Sequence, residues 1–171
     1  MTDLKHVTIY TDGACLGNPG PGGYGVVLLY GPHRRELTGG YAHTTNNRME
    51  LMACIAGLEA LKERCQVTLY TDSQYVAQAI TEGWAVRWRA RGWKRSDKNA
   101  ARNPDLWARL LDLCTQHDVT FTWVRGHAGN RENERCDYLS VQASLQPNLP
   151  PDTHYHPTPP RHSDLTTLFD P

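Results

Sequence analysis

Residues 7–12 read Val-Thr-Ile-Tyr-Thr-Asp, and residues 67–72 read Val-Thr-Leu-Tyr-Thr-Asp. Successive side chains of a strand point to opposite faces. Each segment therefore presents Thr, Tyr and Asp on one face, and Val with Ile or Leu on the other. Six residues do not establish a duplication, but they describe two strands that each end in an aspartate. If these strands lie parallel and adjacent, Asp12 and Asp72 meet at one edge of a sheet. Ligands of open α/β sheets gather at such carboxyl ends. Either aspartate alone reads as the start of a turn or a helix cap; their matched settings put a shared site on an equal footing with that role.

Working outward, residues 17–23 (Gly-Asn-Pro-Gly-Pro-Gly-Gly) carry turn chemistry. Tyr24–Tyr30 reads as a second strand, Gly31-Pro32 as a turn and Glu36–Thr44 as a third strand, so strands one to three form an antiparallel meander. Thr45 or Asn46 caps a helix running to about Cys65. Its apolar residues occupy more than one face, as expected of a helix covered on two sides. After the strand Val67–Asp72, Ser73 caps a short helix to about Thr81. Asn103 caps a helix with Pro104 in its first position, ending near His117. Val119–Val124 is the last strand, and a helix from Asn130 to about Leu145 follows. The order β-β-β-α-β-α-(basic segment)-α-β-α predicts an α/β fold, a mixed sheet with helices on its faces.

The 171 residues suit one domain with a core, and 39% apolar content is ordinary for a globular chain. No apolar run approaches the ~18 residues of a membrane span, and the first residues lack the regions of a signal peptide. No membrane association is expected. Five cysteines are scattered without a CxxC pair, which argues against a zinc site or a disulfide framework and for a reducing, cytoplasmic location. Basic and acidic residues number 18 each, yet Trp84–Arg102 holds seven basic residues and one acid, leaving 11 basic against 17 acidic elsewhere. An acidic body with one basic appendage can hold nucleic acid through that patch. From Pro147 onward seven prolines fall in 25 residues, and residues 147–171 read as a flexible tail beyond a domain of residues 1–146.

Two more acids stand out. Glu50, one turn into the first long helix, shares a small, uncharged face with Ala53, Cys54 and Gly57, which suits close packing on a sheet; charge complementarity at a helix N-terminus explains it as well. Asp137 lies in Glu132-Asn133-Glu134-Arg135-Cys136-Asp137, and spacing alone does not select it over Glu132 or Glu134. Carboxylates brought together repel and retain protons unless a divalent cation joins them. Oxygen ligands favour Mg²⁺, with Mn²⁺ as the alternative. His127, between Gly126 and Gly129, reads from its setting alone as an idle loop residue, the alternative being an imidazole that a glycine-flanked loop can swing toward a site.

The motifs TDGACLGNPGPGGYG (11–25), TTNNRMELMA (44–53), TDSQYV (71–76), RGWK around Gly92, DLW (105–107), GHAGN (126–130) and ENERCD (132–137) occur in order over roughly residues 4–146. In these the chain resembles bacterial ribonuclease H, type 1. The resemblance implies a five-stranded mixed sheet of order 3-2-1-4-5 with helices on both faces and a basic protrusion at about residues 82–102. It implies an endonuclease, acting as a monomer, that cuts the RNA strand of RNA–DNA hybrids, leaves 5′-phosphate and 3′-hydroxyl ends, and removes RNA primers and R-loops. It selects Asp12, Glu50, Asp72 and Asp137 as ligands of two Mg²⁺ ions and makes His127 the mobile residue of proton transfer or product release.

Asn18, Asn46 and Gln74 match positions touching the RNA strand's minor-groove edge or 2′-hydroxyls, the groups that distinguish RNA from DNA. Cys15 and Asn47 match positions against the hybrid, and Thr45 one that holds a DNA phosphate. In the protrusion, Trp84 and Trp88 share a helical face beside a basic row of Arg87 and Arg91. Trp84 is expected to anchor this helix, with Trp88 and Trp93 nearer the DNA strand. The chain departs from the family pattern at Gly83, an extra residue, at Arg87 where an asparagine is usual, and at Asn130, Tyr138 and Ser140. The 2′-hydroxyl-reading set argues against a DNA-cutting relative of the same fold, and four placed acids argue against a non-catalytic hybrid-binding module.

Overall fold

The computed structural model describes residues 3–156. Strands β1 (Lys5–Cys15), β2 (Gly20–Tyr30) and β3 (His33–Thr44) form the meander, and α1 (Asn46–Glu59) carries the chain across to β4 (Cys65–Thr71). Then follow α2 (Gln74–Thr81), α3 (Trp84–Ala90), α4 (Pro104–Gln116), β5 (Asp118–Trp123) and α5 (Arg131–Ser144). The sheet order is β3-β2-β1-β4-β5, as the resemblance implies. The repeated hexapeptides pair in parallel and in register, Val7 with Val67 through Thr11 with Thr71. Tyr10 stacks on Tyr70 with ring centroids 4.7 Å apart.

The two faces are covered differently. Ile9, Val26, Val67 and Leu69 meet Leu51, Ile55 and Leu58 of α1 in the main core. Gly57 brings the helix down onto the sheet, since a Cβ there would stand 2.9 Å from the Ile9 side chain. On the opposite face Cys136 and Leu139 of α5 pack with Val27 and Tyr10. Removing side chains of this size costs about 2–5 kcal/mol each, so both layers hold the sheet. Among the described residues no helix is long and apolar enough to cross a membrane.

Several expected boundaries shift. The turn expected over residues 17–23 is shorter, because β2 already begins at Gly20. Its glycines serve close packing: a Cβ on Gly23 would stand 2.3 Å from the Ser140 carbonyl of α5. The first helix stops at Glu59, not near Cys65, because Cys65 opens β4 by pairing with Lys5 while its amide donates to His117 Nδ1 at 3.1 Å. Asn103 does not cap α4 with its side chain; it takes a left-handed backbone (φ 58°), which asparagine tolerates. Its amide instead meets Arg48 and Tyr75.

Part of the expected tail, residues 149–155, is seated against the domain. The Pro150 carbonyl accepts the Ala42 amide at 2.8 Å, and Asp152 pairs with Arg48 at 2.7 Å. Hydrogen bonds and an ion pair, absent from any apolar periodicity, dock this segment against β3 and α1. The rest of the tail expectation, residues 157–171, lies outside the described residues.

Candidate active site

Register delivers the first two acids. Because β1 and β4 run parallel and matched to Thr11 and Thr71, the next residues, Asp12 and Asp72, emerge side by side at one edge. A backbone contact delivers the third. A Cβ on Gly13 would stand 2.5 Å from the Glu50 amide nitrogen, so only glycine lets the first turn of α1 rest on β1. One ligand oxygen each from Asp12, Glu50 and Asp72 then lies within 4.8 Å of the others.

The cluster is poorly neutralised by the protein. Gly13 N donates to Asp12 Oδ1 at 2.9 Å. Glu50 is 4% exposed, and its Oε2 is buried without a hydrogen-bond partner among the described residues. Burial, then the neighbouring Asp72 charge, pushes the Asp12 carboxyl up to about 8. Burial, then Asp12 and Asp72, pushes Glu50 well above its usual range. A buried unpaired carboxylate oxygen facing two more carboxylates is costly. A divalent cation with oxygen preference removes that cost, so the donor set fits Mg²⁺ or Mn²⁺.

Asp137 does not join this trio of close oxygens. It is partly exposed on α5, one residue after Cys136, whose carbonyl lies over Gly25, the register partner of Asp12. Residues directly opposite in an antiparallel pair share a face, so Asp137 comes from the helix that covers the Asp12 side. His127 is exposed in the loop after β5, with φ 55°. The preceding Gly126 runs against Asp72, whose Oδ2 would stand 2.8 Å from a Cβ there. The imidazole thus has its root beside the cluster and its ring in solvent.

Residues expected to touch substrate ring this edge. Asn18 Oδ1 accepts the Asn46 amide at 2.9 Å, joining the turn after β1 to the start of α1. Thr45 caps α1, its hydroxyl accepting the Arg48 amide at 3.2 Å. Asn47 is exposed beside them, and Gln74 is exposed at the start of α2. Cys15 directs its thiol to the Thr44 and Gly20 carbonyls, so it helps shape the turn as well as facing outward.

Beyond Asn47 a cavity of about 430 Å³ is lined by Tyr75, Trp84, Trp88, Arg87, Arg91, Arg95 and Arg102. The anchor of the protrusion helix differs from the one expected. Trp88 sits edge-on to the buried Trp107 at 5.9 Å, and Trp93 also packs against the core, whereas Trp84 is exposed. The i, i+4 spacing identified the shared face but not which ring Trp107 would receive. Gly83, the extra residue, has φ 72° and lies beside the Arg87 guanidinium.

Sequence reading missed Gly13, Arg48, Arg95 and Arg102. The arginines at 95 and 102 were visible only as part of a charge run, while Gly13 and Arg48 draw their roles from partners far along the chain.

The family model for RNase H matches residues 4–145. A ribonuclease H of Syntrophus aciditrophicus is 68% identical over 151 residues, covering 88% of this chain and 87% of the relative. A ribonuclease H of Escherichia coli is 57% identical over 152 residues, covering 89% and 97%. Among solved structures, LC9-RNase H1, a type 1 RNase H with the type 2 active-site motif, superimposes with a TM-score of 0.75 at 36% identity, covering 84% of this chain and 74% of that one.

Proposed function

The chain belongs to the ribonuclease H family, whose members hydrolyse the RNA strand of RNA–DNA hybrids, and on that premise we propose how its residues share the work. Asp12, Glu50, Asp72 and Asp137 hold two Mg²⁺ ions, with Mn²⁺ able to replace them. When bound, the cations supply the charge that favours a nucleophilic hydroxide and a departing 3′ oxygen. The observation that carries this is the three-acid cluster with the orphaned Glu50 oxygen, an arrangement with no folding benefit of its own.

The other residues bind, orient and move protons. Asn18, Asn46 and Gln74 read the RNA strand, with Cys15 and Asn47 against the hybrid and Thr45 on a DNA phosphate. Arg87 and Arg91, with Trp84, Trp88 and Trp93, hold the DNA strand in the basic cavity by contacts that read no sequence. His127 takes up a proton near Asp72 or helps product leave. The products carry 5′-phosphate and 3′-hydroxyl ends. The protein works as a monomer in the cytoplasm, clearing RNA primers and R-loops.

The deciding experiment is cleavage of an end-labelled RNA–DNA hybrid, an RNA duplex and a DNA duplex, each with Mg²⁺ and with EDTA. Cutting confined to the hybrid's RNA and to Mg²⁺ is expected, and Asp72→Asn should bind hybrid without cutting. Equal cutting of a DNA duplex, or full activity of Asp72→Asn, contradicts the reading.

A further inference from the structure

Arg48 lies in the first turn of α1, between Asn46 and Asn47 on one side and Glu50 on the other, yet its guanidinium is committed elsewhere. Its side chain is 3% exposed. Nε donates to Asp152 Oδ2 at 2.7 Å and Nη2 to Asp152 Oδ1 at 3.1 Å. Nη2 also donates to Asp105 Oδ2 at 2.7 Å, and Nη1 to Asp105 Oδ1 at 2.9 Å and Asn103 Oδ1 at 3.3 Å. All five N–H donors are thereby used, and two carboxylates grip the planar group along two edges.

Asp152 has a second hold. Its Oδ2 accepts the Thr44 hydroxyl at 2.8 Å. Thr44 ends β3 and Arg48 is the third residue of α1, so one carboxylate clasps both sides of the corner Thr45-Asn46-Asn47. The segment around it is seated as well. Pro150 accepts the Ala42 amide, Leu149 lies against Gly40, and the Tyr155 ring stands 5.6 Å from His43 and 5.9 Å from the Arg48 guanidinium. This stretch lies beyond the residues that the family model matches.

We propose that residues 149–155 are a strap, with Asp152 as a positioning residue, that sets the angle at which the corner Thr45–Asn47 meets the hybrid. The inference rests on the reading of that corner as a hybrid contact. Without Asp152, Arg48 remains tied to α4 through Asp105, so the helix stays attached, but two N–H groups of a buried cation lose their acceptors and the corner loses its clasp. An asparagine cannot substitute, because its NH₂ would face the arginine's own donors. Glutamate keeps the charge and two acceptors on a longer arm.

The test uses the full chain as wild type, Asp152→Asn, Asp152→Glu and, as a control destabilised far from the corner, Phe121→Leu. Steady-state cleavage of hybrid with Mg²⁺, hybrid binding in EDTA and amide hydrogen exchange are measured well below every melting temperature. Displacements near 1 Å cost up to ~10²-fold, so a corner released on one side is expected to raise KM and Kd about tenfold in Asp152→Asn, with kcat within about twofold. Exchange at residues 46–49 accelerates, Asp152→Glu recovers part of both effects, and Phe121→Leu shows neither despite its lower melting temperature. Wild-type KM and corner exchange in Asp152→Asn, or equal changes in Phe121→Leu, overturn the strap. If the wild-type protein cuts no hybrid, the proposed function fails on its own, and exchange at the corner still decides whether Asp152 holds it.

Discussion

Replacing Asp12 by asparagine is expected to stabilise the metal-free protein while abolishing cleavage. Burial and Asp72 raise the Asp12 carboxyl from 3.8 to about 8 in the folded chain, and unfolding returns it to the ordinary value. The folded state therefore binds this proton more tightly. The contribution of this group to stability is greatest at acid pH and is lost as pH rises from the ordinary carboxylate range through about 8. At about 1.4 kcal/mol per pH unit, the loss at neutrality has an upper bound of about 4 kcal/mol. Water reaching the partly exposed Asp72 screens some of this, leaving about 2–4 kcal/mol. Asparagine keeps the shape and removes the ionisation. For a chain of this size the gain is roughly 5–15 °C in melting temperature. Thermal unfolding followed by circular dichroism in EDTA, across a pH series, reads it directly. The gap between variant and wild type is expected to be widest at the alkaline end, to close toward acid, and to narrow when Mg²⁺ stabilises only the wild type. Equal melting temperatures at alkaline pH, or a gap indifferent to pH, would refute the crowding of these carboxylates.

Gly13→Ala drives a Cβ into the Glu50 backbone; it should lower stability by about 1–3 kcal/mol and weaken Mg²⁺ binding by calorimetry, whereas unchanged values would mean that α1 yields freely. His127→Ala should reduce kcat about 10²-fold with KM little changed, and full turnover would remove the imidazole from the reaction. The double change Arg87→Ala with Arg91→Ala should flatten the slope of log affinity for hybrid against log salt by about 2; an unaltered slope would take both guanidinium groups off the phosphates.

The two-residue period and the matched hexapeptides described β1 and β4 as equivalent strands, but nothing local says which strands are neighbours; their parallel pairing was legible only through the family's strand order, which the structure bears out. Asp12 and Asp72 followed from that register. Glu50 was legible only as an acid on a small face, because what brings it in is the bare backbone of Gly13, one glycine of 14. Asp137 could not be separated from Glu132 and Glu134 by spacing, since all three lie on one charged helix; the family motif chose it. The seating of residues 149–155 was hidden for a different reason. Arg48 and Asp152 are 104 positions apart, and neither sits in an apolar pattern. The anchor of the protrusion was hidden in the same way: helical spacing places Trp84 and Trp88 together, but the buried edge of Trp107 decides which one is held.

The parallel pairing of β1 with β4 has a consequence for when the protein can act. Asp12 and Glu50 are made first, but the third clustered acid arrives only after the chain has crossed over α1 and laid β4 beside β1. Parallel pairing across such a crossover is among the later and slower events of folding. A chain in which β4 is not yet made, or has come away from β1, therefore has no assembled three-acid cluster. The site is thus gated by its own topology, and a copy that lacks the β1–β4 pairing is disarmed without any inhibitor.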